Sequence, residues 1–150
     1  MLMEKIMVIN GPNLNLLGSR VPEIYGHMTL DDINANLQQE ADKLGIILEF
    51  FQSNSEGAII DCIHKAASDC WGIIINPGAY THYSYAIADA IEAVDLPTME
   101  VHLSDIYQRE SYRSKSVIEP FCLGQISGHG AKSYTIALNC LAVAMKIEDQ

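Results

Sequence analysis

The stretch Trp71-Gly72-Ile73-Ile74-Ile75-Asn76-Pro77-Gly78 decides the fold. Its first five residues are continuous in apolar character, and Asn-Pro-Gly then forces a turn. It reads as a short strand with a sharp exit. Met7-Val8-Ile9, closed by Asn10-Gly11-Pro12, has the same form and reads as a first buried strand. Outward from these runs the period becomes helical. Thr29 opens a helix, with Asp32 as a capping-box variant. Leu30, Ile33, Leu37, Ala41 and Leu44 share one face of it, and Gly45 stops it. Residues 46–51 read as a second strand. Ile59, Ile60, Ile63 and Ala67 mark a second helix, and Ala86, Ile87, Ala90, Ile91 and Val94 a third. Residues 98–103 read as a fourth strand, and a fifth is expected near 120–126. Residues 131–147 read as the final helix, with Tyr134, Leu138, Leu141 and Met145 on its inner face. Strands alternating with helices imply right-handed crossovers and a parallel sheet. Five strands suggest a flavodoxin-like, doubly wound α/β fold with helices on both faces of a parallel sheet. Ligands then bind beyond the carboxyl ends of the strands.

The 150 residues, 49% of them hydrophobic, suit a single domain over 1–150 whose core needs no disulfide or metal staple. A formal charge of −10, from 9 basic and 19 acidic residues, disfavours a nucleic-acid binder or a polybasic membrane binder. No apolar run reaches the roughly 18 residues of a membrane span, and Met1-Leu2-Met3-Glu4-Lys5 does not resemble a signal peptide. Cys62, Cys70, Cys122 and Cys140 have neither C-x-x-C spacing nor a histidine that completes a zinc pattern. They are expected to be reduced and mostly buried, in a cytoplasmic protein.

The unusual residues gather after the strands. Asn10, Asn13, Asn15, Arg20 and Tyr25 follow the first, in a glycine-rich loop over 11–28. A loop that long inside a compact domain is usually functional. Gln52, Ser53, Asn54 and Glu56 follow the second strand, and Asn76, Tyr80, Thr81, His82 and Ser84 the third. The fourth carries Glu100 and His102, then Ser104, Arg109 and Arg113. All three arginines of the chain lie in these loops. Bidentate cations are thereby concentrated where an anion would dock.

There is no P-loop, dinucleotide fingerprint, nucleophile elbow or zinc-protease motif. Any chemistry falls to side chains, with no metal and no cofactor. Tyr25 and His102 are the acid–base candidates. A free tyrosine has a pKa of about 10, and lowering it by ~3 units requires ~4 kcal/mol of stabilisation, which nearby arginines would supply. Glu100 and His102, two apart on a strand, share a face, and a carboxylate beside an imidazole suits a general acid. The Asn76 amide offers donors to an enolate oxygen. On spacing alone, these positions read equally as a packed loop tyrosine, a satisfied strand-end histidine and a turn asparagine. His27, His64 and His129 read as structural or surface residues.

The chain resembles the type II 3-dehydroquinate dehydratases along nearly its whole length. The matching segments are Asn10-Gly-Pro-Asn-Leu-Asn-Leu-Leu-Gly18 with Arg20 and Tyr25-Gly26, and Gln52-Ser-Asn-Ser-Glu-Gly57 with Ile60-Asp61. Further along lie Ile75-Asn-Pro-Gly-Ala-Tyr-Thr-His82 with Ser84 and Asp89-Ala90, and Glu100-Val-His-Leu-Ser104 with Arg109-Glu110 and Arg113. The resemblance implies cofactor-free dehydration of 3-dehydroquinate to 3-dehydroshikimate through an enolate, in the shikimate pathway toward chorismate and the aromatic amino acids. It implies that Tyr25 is the base, kept ionised by Arg20 with Arg109 beside it. It makes His102 the acid, oriented by Glu100. Asn76 would hold the water that stabilises the enolate, with Asn13 near the same water. Ser104 and the amides of Leu103 and Ser104 would meet the substrate carboxylate, His82 and Arg113 the ring hydroxyls. Asp89 would be lent to a neighbouring subunit, in a dodecamer of four trimers, and residues 19–26 would form a lid. None of the six lysines is needed, so no Schiff base is implied.

Three residues depart from the family pattern. Val21 replaces a common lid glutamate, and Ala88 a common basic residue before Asp89. Asp105 stands where asparagine is usual. A carboxylate ~6 Å from an anionic substrate would cost ~3 kcal/mol at an effective dielectric of ~20 if unscreened. The rival reading, a non-catalytic flavodoxin-like binding or signalling module, would call for features such as the acidic residues that follow strand one in response regulators. Asn10-Gly11-Pro12 stands there instead.

Overall fold

The computed structural model describes residues 4–19, 23 and 27–148. Five parallel strands lie in the order β2-β1-β3-β4-β5: β1 Lys5–Asn10, β2 Ile47–Gln52, β3 Gly72–Asn76, β4 Thr98–His102 and β5 Gly124–Ser127. This is the flavodoxin-like order, and it places the β1/β3 switch point at the centre of the carboxyl edge. Among the described residues there are four long helices: α1 Leu30–Leu44, α2 Glu56–Asp69 and α3 Tyr85–Val94 cross over between strands, and α4 Lys132–Glu148 follows β5. None is long and apolar enough to cross a membrane.

The two-residue period of the strands sorts the core into two layers. Ile6 and Val8 of β1, Ile74 of β3, and Met99 and Val101 of β4 pack with Ile33, Leu37, Leu138 and Leu141 of α1 and α4. Met7, Ile9, Ile73 and Ile75 pack on the other side, with Ile59 and Ile63 of α2 and Ile87 and Ile91 of α3. Ile73, Ile74 and Ile75 are fully buried, each contributing about 1.5–3 kcal/mol of apolar burial. A strand covered on both faces needs this continuous apolar character. The capping box forms as read: the Asp32 backbone N–H donates to Thr29 Oγ1 at 3.1 Å, and the Thr29 N–H to Asp32 Oδ2 at 3.0 Å. Gly45 ends α1 in the left-handed region.

Several local expectations are corrected. Strand β5 is shorter than 120–126, because Glu119–Phe121, with Pro120 inside it, forms a 3-10 turn; proline cannot donate to a ladder. The first part of the long loop is not structureless but holds a 3-10 turn at Leu14–Leu16. On the helices, Leu44, Ala67 and Ala86 are exposed, and Ala66 rather than Ala67 meets the core. Of the cysteines, Cys62 and Cys70 are buried, Cys122 is half-buried and Cys140 is exposed; all four are free thiols. His27, His64 and His129 are exposed.

Candidate active site

The exits of β1 and β3 are laid directly against each other. Gly11 N–H donates to the Asn76 carbonyl at 2.8 Å. A Cβ on Gly11 would stand 2.5 Å from the Pro77 carbonyl oxygen, so only glycine permits this approach. Gly78 answers it from the other side, with φ +61° and the Pro12 carbonyl 3.2 Å from where its Cβ would be. Residues after β2 brace the pair. Gln52 Nε2 donates to the Gly11 carbonyl at 3.1 Å, and Asn54 Oδ1 accepts the Asn13 N–H at 3.0 Å, holding Asn13 in its left-handed conformation. Tyr80 Oη donates to the Asn54 carbonyl at 2.9 Å. Ser84, the N-cap of α3, donates to Glu56. Gln52, Asn54, Glu56, Tyr80 and Ser84 support the site rather than line it.

Above this floor lies a cleft between the ends of β3 and β4. It is lined by Asn13, Asn76, His82, His102, Leu103, Ser104, Arg109 and Arg113, among others. Sequence-predicted positions from three separate segments therefore converge. Glu100 lies beneath, fully buried, with its Oε2 2.5 Å from His102 Nε2. Thr81 Oγ1 donates to the same oxygen at 2.5 Å, and Ser116 Oγ donates to Oε1 at 2.8 Å. Burial alone would raise the Glu100 pKa. The hydrogen bond and charge of His102, with the Thr81 hydroxyl, outweigh burial and hold it below the usual carboxylate range. An ionised Glu100 fixes a hydrogen on His102 Nε2 and leaves Nδ1 as the nitrogen for chemistry.

His82 is tied differently. Its Nδ1 donates to the Lys115 carbonyl at 2.7 Å. Burial lowers its pKa against the effect of that carbonyl, and the nearby His102, Arg113 and Arg109 charges lower it further. His82 is therefore neutral at pH 7, with Nε2 as an acceptor. Arg109 and Arg113 both flank Glu110, with Nε to Oε2 distances of 3.7 and 3.8 Å. Glu110 is over half exposed, so these ion pairs are screened. The arginines stand on a segment of two 3-10 turns, Ile106–Gln108 and Ser111–Arg113, in place of the polar loop read from sequence. Asp105 opens that segment. Its Oδ1 accepts the Tyr107 N–H at 3.0 Å, so the carboxylate caps a turn, and the residue lines a neighbouring groove rather than the cleft. Ala88 is buried in the core layer on the α3 side of the sheet. Asp89 is exposed on α3 and is not in the cleft. Arg20, Tyr25, Gly26 and Val21 lie outside the described residues.

Sequence reasoning missed three supporting groups. Thr81 stood in a quoted segment but was given no role, and nothing in the local pattern marked Ser116. Tyr134 was read only as an inner-face residue. It is fully buried, and its hydroxyl reaches both Asn10 and Asn76. A phenol on the apolar face of a helix was the available signal, because a buried hydroxyl needs a partner.

Comparison with known proteins gives the family and the fold. The family model described as dehydroquinase class II matches residues 4–142. A 3-dehydroquinate dehydratase of Caldicellulosiruptor bescii is 60% identical over 93% of this chain and 97% of its own length. The crystal structure of the type II dehydroquinase of Butyrivibrio crossotus superposes with a TM-score of 0.91 at 48% identity, covering 93% of this chain and 97% of that one. That of Propionibacterium acnes gives 0.90 at 44% identity, covering 95% and 98%.

Proposed function

The chain belongs to the class II dehydroquinase family, and we propose that the cleft beyond β1, β3 and β4 is where it dehydrates 3-dehydroquinate. The lyase activity goes with the family; the assignment of roles to residues is our own reading. The observation that carries it is the meeting of the Asn76 amide, the His102–Glu100 pair and two arginines in one cleft.

The reaction removes a proton beside a ketone and then expels a hydroxyl. Tyr25, ionised beside Arg20 and Arg109, takes the proton from C2 and the electron pair moves onto the C3 oxygen as an enolate. Asn76, through a water near Asn13, donates to that oxygen. The enolate collapses and forms the C1–C2 double bond. His102 gives the Nδ1 proton to the departing C1 hydroxyl, which leaves as water. Glu100 steadies the imidazolium beforehand. The substrate carboxylate lies on Ser104 and the amides of Leu103 and Ser104. His82 accepts from one ring hydroxyl, and Arg113 donates to another. No cofactor enters the scheme. Exposed Asp89 serves the site of a neighbouring copy in a dodecamer of trimers. The protein acts as one catalytic domain, in the cytoplasm, in the shikimate pathway that feeds chorismate and aromatic amino acids.

The test is to follow the ultraviolet absorbance of the conjugated enone carboxylate on mixing protein with 3-dehydroquinate. Wild type turns over and resists borohydride, because no Schiff base forms. Tyr25→Phe loses nearly all turnover while still binding substrate. Full activity in Tyr25→Phe removes Tyr25 from the base role. A solution mass near that of one chain refutes the assembly.

A further inference from the structure

We infer that Tyr134, on α4 and outside the cleft, is a positioning residue that fixes which end of the Asn76 amide serves the reaction. The inference rests on the role proposed above for Asn76. Asn10 and Asn76 are cross-strand neighbours at the ends of β1 and β3. Tyr134 reaches them from the third residue of α4, with its ring in the core layer shared with Leu138 and Leu141. Its Oη donates to Asn10 Oδ1 at 2.5 Å and accepts from Asn76 Nδ2 at 3.0 Å.

The direction of these bonds follows from the chemistry of the three groups. A phenol has one hydrogen to donate. Complete burial pushes the Tyr134 pKa upward, so the hydroxyl keeps that hydrogen. It goes to Asn10 Oδ1, which can only accept. Oη therefore meets Asn76 as an acceptor, and the nitrogen end of that amide must face it. The oxygen end is claimed at the same time by the Gly78 N–H at 3.1 Å. Two constraints, one at each end, forbid the flipped amide. The second Nδ2 hydrogen is left for the cleft that Asn76 lines. A flipped amide would exchange the positions of its nitrogen and oxygen, and would weaken the support for a developing enolate. Tyr134 touches neither substrate nor reacting atoms in this scheme. It acts through Asn76, as a hydrogen-bonded support does for the group it orients.

The experiment is a double-mutant cycle between Tyr134→Phe and Asn76→Ala, with kcat and KM measured well below each variant's melting temperature. Asn76→Ala is expected to lose ~100-fold in kcat, as for a lost oxyanion donor. Tyr134→Phe is expected to lose ~10-fold in kcat with KM little changed, and to add nothing in the Asn76→Ala background. Asn10→Ala is the second variant, in case Tyr134→Phe folds poorly. It frees the phenol hydrogen to turn toward Asn76 and should lower kcat in the same way. Normal kcat in Tyr134→Phe, with Asn76→Ala impaired, overturns the inference and spares the role of Asn76. An equal loss in both backgrounds also overturns it, since Tyr134 would then act elsewhere. Full activity in Asn76→Ala overturns the reading of Asn76 and this inference with it.

Discussion

Glu100→Gln tests the acid. The carboxylate is fully buried and sits 2.5 Å from His102 Nε2. Glutamine keeps the shape but carries no charge, and its one oxygen can stand toward Thr81 and His102 or toward Ser116, not both. With charge centres ~4 Å apart and an effective dielectric of ~20, the protonated imidazole loses ~4 kcal/mol of attraction. Expressed as a rate, that lost attraction is worth up to ~1000-fold. Some of the loss is recovered because a less stabilised acid gives up its proton more readily. The expected result is a fall in kcat of about 100-fold or more at pH 7, with a smaller rise in KM as the Ser116 anchor weakens. Initial rates are followed by product absorbance. A Glu100→Gln enzyme within about three-fold of wild type at pH 7 would refute the reasoning. The same variant tests linkage. The pKa of Glu100 lies below its ordinary 4.5 in the folded chain. Its charge therefore contributes stability above the unfolded value, and that contribution is lost as pH falls through the folded one. Urea midpoints of wild type should drop more steeply than those of Glu100→Gln below about pH 4.5.

Two further outcomes follow from the packing and the thiols. Gly11→Ala should lower stability by ~1–3 kcal/mol, because its Cβ would meet backbone atoms of Pro77 that cannot swing away. It should also lower kcat by moving Asn76 and Asn13 apart; thermal melts and rates that match wild type would show that the loops tolerate separation. Cys140 should be the first thiol to react with a disulfide reagent at pH 7.5. Burial pushes Cys62 up to about 11 and Cys70 up to about 12, and Cys122 is also raised. A Cys140→Ser protein that still reacts rapidly would contradict that order.

The layers of the fold were legible because a strand covered on both faces must be apolar throughout. Residues 73–75 and 7–9 could therefore be read without any knowledge of their neighbours. The cleft was legible for a related reason. Polar groups placed after successive parallel strands are brought to one edge by the topology itself. Helix margins were less legible, since Leu44, Ala67 and Ala86 fit the period but face outward. The fifth strand was misplaced because the 3-10 turn over 119–121 consumes residues whose apolarity suits a strand. Thr81, Ser116 and Tyr134 escaped notice because hydroxyls pair across distances of 19, 16 and 58 residues, which no local pattern encodes.

Glu100 also has a mechanical consequence. Ser116 spends its single hydrogen on Glu100 Oε1 and accepts the Ile118 and Glu119 N–H groups. With the Val117 N–H on the Thr81 carbonyl and the Lys115 carbonyl on His82, this pins the far end of the span that bears Arg109 and Arg113. The near end leaves directly from β4. The arginines thus ride on a bridge anchored at both ends, and much of the entropy of placing them is lost on folding rather than on binding. One pier of that bridge is the same carboxylate that steadies the acid, with Oε2 facing the imidazole and Oε1 the bridge. Proton donation and anion grip therefore share a foundation, and no substitution at Glu100 can retune one while leaving the other untouched.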